Sequence, residues 1–333
     1  MLIQKCKRLS RILVFVAFLP FLYSCSDSNV EHKTIRLAHG LDVNHPVHLA
    51  LVHFQQRLEA LSEGTIKVTV FPAGQLGSER EIIELIQFGT IGMTKVSASS
   101  LEAFVPNMKV FGLPYLFQDQ QHFWRVLNGP IGESLLSEGE RFRIKGLGYF
   151  DAGSRSFYAT EKSIQTPADL AGLKIRVMNS QSAVNMVNTM GGSATPVSWG
   201  ELYTALQQGV VDGAENNPPS FYFSKHYEVS KYYVLDEHTS IPDVIIIGTH
   251  LWQQLSAQQK QWVEVAMQQA TEYQIELWQK STNDALAKVK DYGVEVVYPD
   301  KTPFRDSVKS VYEKIDDKDI LQLIADIKAE EKN

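Results

Sequence analysis

Three observations predict an α/β protein built as two domains. Short apolar strands alternate with amphipathic helices along almost the whole chain, the pattern of layered sheets in largely parallel strand order with helices on their faces. A length of 333 residues, 44% hydrophobic and 21% charged, is enough for a large core and more than one domain. From Ser256 to Lys290 the chain carries no glycine or proline. As a helix at ~1.5 Å per residue this segment would reach ~50 Å, wider than one small domain, so it braces two.

The chain begins differently. Lys5, Lys7, Arg8 and Arg11 precede the apolar run ILVFVAFLPFLY, which is about 12 residues against the ~20 that a spanning helix needs. A basic start, a short apolar core and small residues after it make residues 1–24 a signal peptide. Its end, LYSC (Leu22–Cys25), resembles the bacterial lipoprotein signal, in which the cysteine is lipidated and becomes the new N-terminus; Cys25 would then tether the protein to a membrane. Loss of the four basic residues takes Lys and Arg from 32 to 28 against 38 Asp and Glu, so the net charge moves from −6 to −10. An acidic surface disfavours nucleic acid and anionic membranes. The cysteines are Cys6 and Cys25, the first inside the signal, so the exported body has no disulfide. SDSNVEHK reads as a short polar linker.

The body follows in order. TIRLAHG is a strand. HLALVHFQQRLEALSEG is a helix with Leu49, Val52, Leu58 and Leu61 near one face and Gly64 as its stop. TIKVTVF alternates Ile66, Val68 and Val70 on one side of a half-buried strand. SEREIIELIQFGT is a helix ended by Gly89, and IGMTKVS a strand. The rhythm continues through RIKGLGYF, LKIRVM, AVNMVNTMGG and ELYTALQQGVVDG. In VVDGAENNPP (Val210–Pro219), Glu215, Asn216 and Asn217 follow a helix and two prolines forbid its continuation, which predicts a rigid polar corner. The long final helix opens on SAQQ, a capping box of Ser256 and Gln259.

Catalytic signatures are missing. There is no glycine-rich phosphate loop, HExxH, G-x-S-x-G or metal-spaced Cys/His set, so neither an enzyme nor a cofactor is expected. His39, His45, His48 and His53 crowd the start of the body without metal-ligand spacing; His39 stands as a candidate ligand contact. The stronger signal is AGLKIRVMNSQSA. Leu173, Ile175 and Val177 fall on one face of a strand, and Arg176 faces the other way near its C-terminal end. Asn179 and Ser180 then open a helix. Ligands of α/β proteins bind at this edge, a helix start favours anions, and a guanidinium forms two parallel bonds to a carboxylate. TPVSWGELYTALQQG repeats the design, with a capping box of Ser198 and Glu201 and Trp199 in the first turn. DAGSRSFYAT puts Arg155 on a glycine-loosened, solvated turn before a strand.

Taken in order, GQLGSERE, LPYLF, GSR, LAGLKIRV, GGSATPVSWGELYTALQQGVVDGAEN and HYEVSKYY resemble the substrate-binding proteins of tripartite ATP-independent periplasmic (TRAP) transporters, DctP type, over residues 33 to 330. The resemblance implies a two-lobe periplasmic-binding-protein fold with crossing hinge strands and a long helix spanning both lobes. Lobe I would be residues 33–152 and 242–281, and lobe II residues 153–241 and 282–330. It also implies an organic-anion ligand in the cleft, handed to a sodium-driven membrane permease. The family's carboxylate-gripping arginine matches Arg176 and its second cleft arginine Arg155. Asn216 of AEN matches a ligand-contacting asparagine, Asn179 a polar contact, and Trp199 an aromatic that packs on the ligand. Glu79 falls where some members place a polar contact. Ser97 stands where sialic-acid binders carry a glutamate, which argues against sialate. ENNPPSF with YYVLDEHTSIPDV looks like the branch that binds sugar acids such as glucuronate and galacturonate, which makes Glu237 and His238 hydroxyl partners. A C4-dicarboxylate receptor, with Arg155 as the second cation, and a sensor protein of the same fold are the alternatives.

Overall fold

The computed structural model describes residues 32–332. The expected signal peptide and Cys25 lie outside the described residues.

The strands expected in TIRLAHG, TIKVTVF, IGMTKVS, RIKGLGYF and LKIRVM all form, and further strands join them. They are β1 (Lys33–Ala38), β2 (Ile66–Phe71), β3 (Met93–Ser97), β4 (Ile144–Phe150), β5 (Arg155–Ala159), β6 (Lys174–Val177), β7 (Ser193–Pro196), β8 (Gly213–Asn216), β9 (Tyr232–Thr239), β10 (Asp243–Gly248) and β11 (Glu295–Val297). They form two sheets, in the orders β2-β1-β3-β10-β4 and β11-β9-β5-β8-β6-β7. Neither sheet is purely parallel. In the first, β1 runs parallel to β2 and β3, but β10 is antiparallel to both β3 and β4. In the second, β6 is parallel to β7 and β8 while β5 is antiparallel to β8 and β9. The antiparallel pairs come from strands beside the crossings: β5 follows the passage from the first sheet at 151–154, and β10 follows the return at 240–242. A strand that arrives from another sheet is free of the direction rule that a helical crossover imposes.

Alternate residues of one strand feed opposite faces. Val244 and Ile246 of β10 join a core with Val96, Tyr149 and Phe111. Ile245 and Ile247 join another with Phe54, Leu58 and Phe150. The second sheet does the same, with Phe157, Ile175 and Val234 on one side and Tyr158, Ala214 and Tyr233 on the other. The first helix, Pro46–Leu61, buries Val47, Ala50, Leu51, Phe54 and Leu58 rather than the stripe of Leu49, Val52, Leu58 and Leu61; Leu49 is exposed. Phe54 carries the most apolar area and sets the helix's roll.

The long helix is Ala257–Asp291, capped by the Ser256–Gln259 box. Val263, Met267 and Trp278 pack in the core of the first sheet and Val289 in the core of the second. Gln274, fully buried, holds the crossing segment by donating to the Asp151 carbonyl and accepting from its N–H, both at 2.8 Å. The last helix, Lys318–Ala329, departs from the expected partition. Its Ile320, Ile324 and Ile327 pack in the first sheet's core, although 282–330 was assigned to the second lobe. An amphipathic helix goes where its apolar stripe is covered.

The polar corner is also different from expectation. Glu215 and Asn216 lie in β8, and Asn217 caps the helix Pro218–Phe223 by accepting from Ser220 N at 2.8 Å. Pro218 and Pro219 occupy the first helical positions, where a missing N–H costs nothing, so they start a helix instead of blocking one.

Candidate ligand-binding site

The two sheets meet around a cavity of about 310 Å³, at the small end of the range for small-molecule sites. Arg176 lines it from β6. Ile175 and Val177 are fully buried in the core, so strand alternation turns Arg176 to the opposite face. Its Nε donates to the Val197 carbonyl at 2.8 Å, and its Nη1 is buried with no partner among the described residues. The guanidinium lies 5.7 Å from the Trp199 ring centroid, a cation–π separation. Burial lowers the Arg176 pKa, yet an arginine stays charged. The guanidinium is thus 2% exposed with donor capacity left over at the cavity wall.

Arg155 opens β5 and is 5% exposed. It does not sit on a solvated turn, as its glycine context suggested. Nε donates to Glu215 Oε2 at 2.5 Å, Nη2 to Glu215 Oε1 at 2.9 Å, and Nη1 to Asn216 Oδ1 at 2.9 Å. Burial raises a carboxyl pKa, but Arg155 overrides it and holds Glu215 down at about 2. Behind this fork, His238 Nδ1 sits 2.7 Å from Asp236 Oδ2, and Nε2 sits 3.6 Å from Glu215 Oε2. Burial disfavours the imidazolium, but the Asp236 and Glu215 carboxylates outweigh it and raise His238 to about 9. The folded value lies above the ordinary 6.5, so this protonation stabilises the fold fully below pH 6.5, and its contribution is lost as pH rises through about 9. At stake is on the order of 3 kcal/mol. Thermal unfolding should show the melting temperature falling across that interval, with a flatter profile in His238→Gln; parallel profiles would overturn the assignment.

The first sheet supplies the other wall. Lys95 of β3 is 4% exposed. Its Nζ reaches Glu79 Oε1 at 3.3 Å and Asp243 Oδ1 at 3.1 Å. Burial would lower the Lys95 pKa, but Asp243 and Glu79 raise it. Glu79 is the first residue of the helix Glu79–Gln87, so its carboxylate also favours the positive end of that helix. It accepts from Ser100 Oγ at 2.5 Å and from Ser97 N at 3.3 Å.

Of the predicted residues, Arg176, Arg155, Asn216, Asn179, Trp199, Glu79 and Ser97 all line this one cavity. Three do not. His39 is buried beside it, with Nε2 2.9 Å from His48 Nδ1 and Nδ1 accepting from Leu41 N at 3.1 Å. Burial, then the Lys95 charge, lowers it to about 3. His238 and Glu237 border a different cavity, with Tyr115, Asp151 and Lys301, and Glu237 bonds Lys301. The Ser198–Glu201 box is incomplete: the hydroxyl bonds the carboxylate but caps no N–H. Among the described residues no group of three or more His, Cys, Asp or Glu is placed to hold a metal.

The sequence model for bacterial extracellular solute-binding protein, family 7 (DctP) matches residues 37–319. The chain belongs to this family. A solved structure from Xanthobacter autotrophicus, a TRAP periplasmic solute-binding protein with bound β-D-galacturonate, is 36% identical, with a TM-score of 0.86 over 89% of this chain and 99% of its own. Another from Anaerococcus prevotii, with bound D-glucuronate, is 34% identical, with a TM-score of 0.88 over 90% and 98%. An uncharacterized protein of Salmonella typhimurium, YiiZ, is 38% identical over 91% of this chain and 93% of its own. This family 7 protein is therefore a TRAP-type solute receptor with the two-lobe fold. Lys95, Asp243 and Glu215 were missed as site residues. Glu215 does not line the cavity but holds Arg155, which Asn216 also reaches; nothing in the sequence pairs it with an arginine 60 residues away, and Lys95 and Asp243 gave no signal either.

Proposed function

We propose that this protein captures a hexuronate, such as galacturonate or glucuronate, in the periplasm and delivers it to a TRAP membrane permease. One observation carries this reading. Among the described cationic side chains lining the cavity, Arg176 alone has no carboxylate partner. Lys95 is held by Glu79 and Asp243, Arg155 by Glu215, and Arg80 by Glu84. A site with one open cation suits a single carboxylate; the amides, hydroxyls and indole that share the wall with the paired charges suit a hydroxylated ring. A C4-dicarboxylate would lack its second cation, because Arg155 is already neutralised. The bound ligands of the two solved relatives point the same way. Arg176 would take the carboxylate, Asn216 and Asn179 would donate to ring oxygens, and Trp199 would cover the ring face. Asn216 has its Oδ1 occupied by Arg155 and by Asn217 N, so it offers only amide donors. No described helix is long and apolar enough to cross a membrane; attachment would rest on Cys25 as a lipidated N-terminus, which intact mass spectrometry of membrane fractions would detect.

Thermal-shift screening tests the ligand class. At a hundredfold excess over Kd, binding adds ~2.7 kcal/mol, several degrees of melting temperature. Galacturonate or glucuronate should produce that shift and succinate should not. A larger shift with succinate would overturn the sugar-acid reading.

A further inference from the structure

On the first sheet's wall, buried Lys95 and Asp243 and half-buried Glu79 form a cluster with hydrogen-bonding capacity left over. An ammonium has three N–H groups. Lys95 spends one on Glu79 and one on Asp243, so one remains. Both Glu79 oxygens are engaged, by Lys95, Ser97 N and Ser100. Among the described residues Asp243 accepts through Oδ1 alone, which leaves its Oδ2 without a partner there. Lys95 and Asp243 both border the cavity. The wall therefore presents a charged donor and a charged acceptor side by side, with Nζ and Oδ1 3.1 Å apart.

A vicinal diol complements this pair, because each hydroxyl both donates and accepts. A second carboxylate does not. With two acids around one lysine the cluster carries a net negative charge, and like charges in a buried site repel strongly. We propose that Lys95 and Asp243 are the specificity-determining residues of this receptor, gripping adjacent hydroxyls of the sugar ring, with Glu79 as the positioning residue that fixes the lysine. This rests on the hexuronate reading, with the carboxylate on Arg176 of the second sheet. In a pyranuronate the carboxylate is borne by C5, so the hydroxyls that reach the opposite wall are those of C1 to C3. Glucuronate and galacturonate share the configuration at C2 and C3 and differ at C4, next to the carboxylate. The cluster therefore distinguishes sugar acids from plain acids without distinguishing these two epimers.

The test pairs protein variants with a ligand lacking hydroxyls. Lys95→Met and Asp243→Asn are titrated calorimetrically with both hexuronates, and by ligand-observed NMR with tetrahydropyran-2-carboxylate, which keeps ring and carboxylate. Asp243→Asn preserves shape and an acceptor oxygen, so it remains informative if Lys95→Met, which leaves Asp243 and Glu79 without their cation, fails to fold. Hydrogen bonds to charged groups predict about 10- to 100-fold weaker hexuronate binding. The plain ring acid should change by less than about threefold, and the ratio between the two epimers should hold. If the wild type binds neither hexuronate, the sugar-acid reading falls and the diol assignment with it. If it binds them but the variants weaken the plain acid equally, or shift the epimer ratio, the diol assignment alone falls.

Discussion

Arg176→Ala should weaken hexuronate binding by roughly 30- to several thousand-fold, because removing one partner of a desolvated ion pair costs about 2–5 kcal/mol. Stability should move the other way. In the empty protein Arg176 is a buried charge with an unused Nη1, a desolvation cost that alanine removes. The variant should therefore melt at the wild-type temperature or above it without ligand, and respond weakly to ligand. Arg176→Lys keeps the charge but not the two-pronged geometry and should recover only part of the affinity. Calorimetric titration decides, with circular dichroism as the folding control. A folded Arg176→Ala that binds within about threefold of wild type would make Arg176 a structural residue and move the carboxylate elsewhere.

Glu215→Ala should cost about 3–5 kcal/mol of unfolding free energy, because it strands the Arg155 guanidinium in a site only 5% exposed. Arg155→Ala should be comparably harmful for the mirror reason, since it strands Glu215. The double change Arg155→Met with Glu215→Leu removes both charges and should recover much of the loss, as buried pairs replaced by apolar side chains often do. Urea unfolding of the three empty variants compares these losses, and adding the double alanine variant closes the cycle that gives the coupling. Single changes that each stay within about 1 kcal/mol of wild type, the level of exposed pairs, would overturn the buried-network account.

The parts of this molecule that depend on short-range pattern were legible in its sequence. Strand alternation placed Arg176 opposite Ile175 and Val177, and the Ser256–Gln259 box with an unbroken run behind it gave the long helix to within a residue at its start. Pairings across sheets were not legible. Lys95 sits in MTKVS, whose five residues are all buried, so alternation there could not separate a cavity wall from a core. Its partners lie 16 and 148 residues away. Arg155 looked solvated because glycine precedes it, while the acid that buries it is 60 residues on. His238 was expected among the ligand contacts and instead stands behind Glu215, a distinction that only a third dimension makes.

The place of β10 in the first sheet bears on how the chain is made. β10 lies between β3 and β4 and pairs with both, yet it is reached only after every strand of the second sheet except β11 has gone by. A nascent or translocating chain that ends short of residue 243 holds β1, β2, β3 and β4 with a gap in the middle of their sheet and two raw edges facing each other. Such edges pair readily with other chains, and contacts this distant in sequence form slowly. The amino-terminal half is thus not a folding unit. A fragment cut before β10 should aggregate rather than fold into half a receptor.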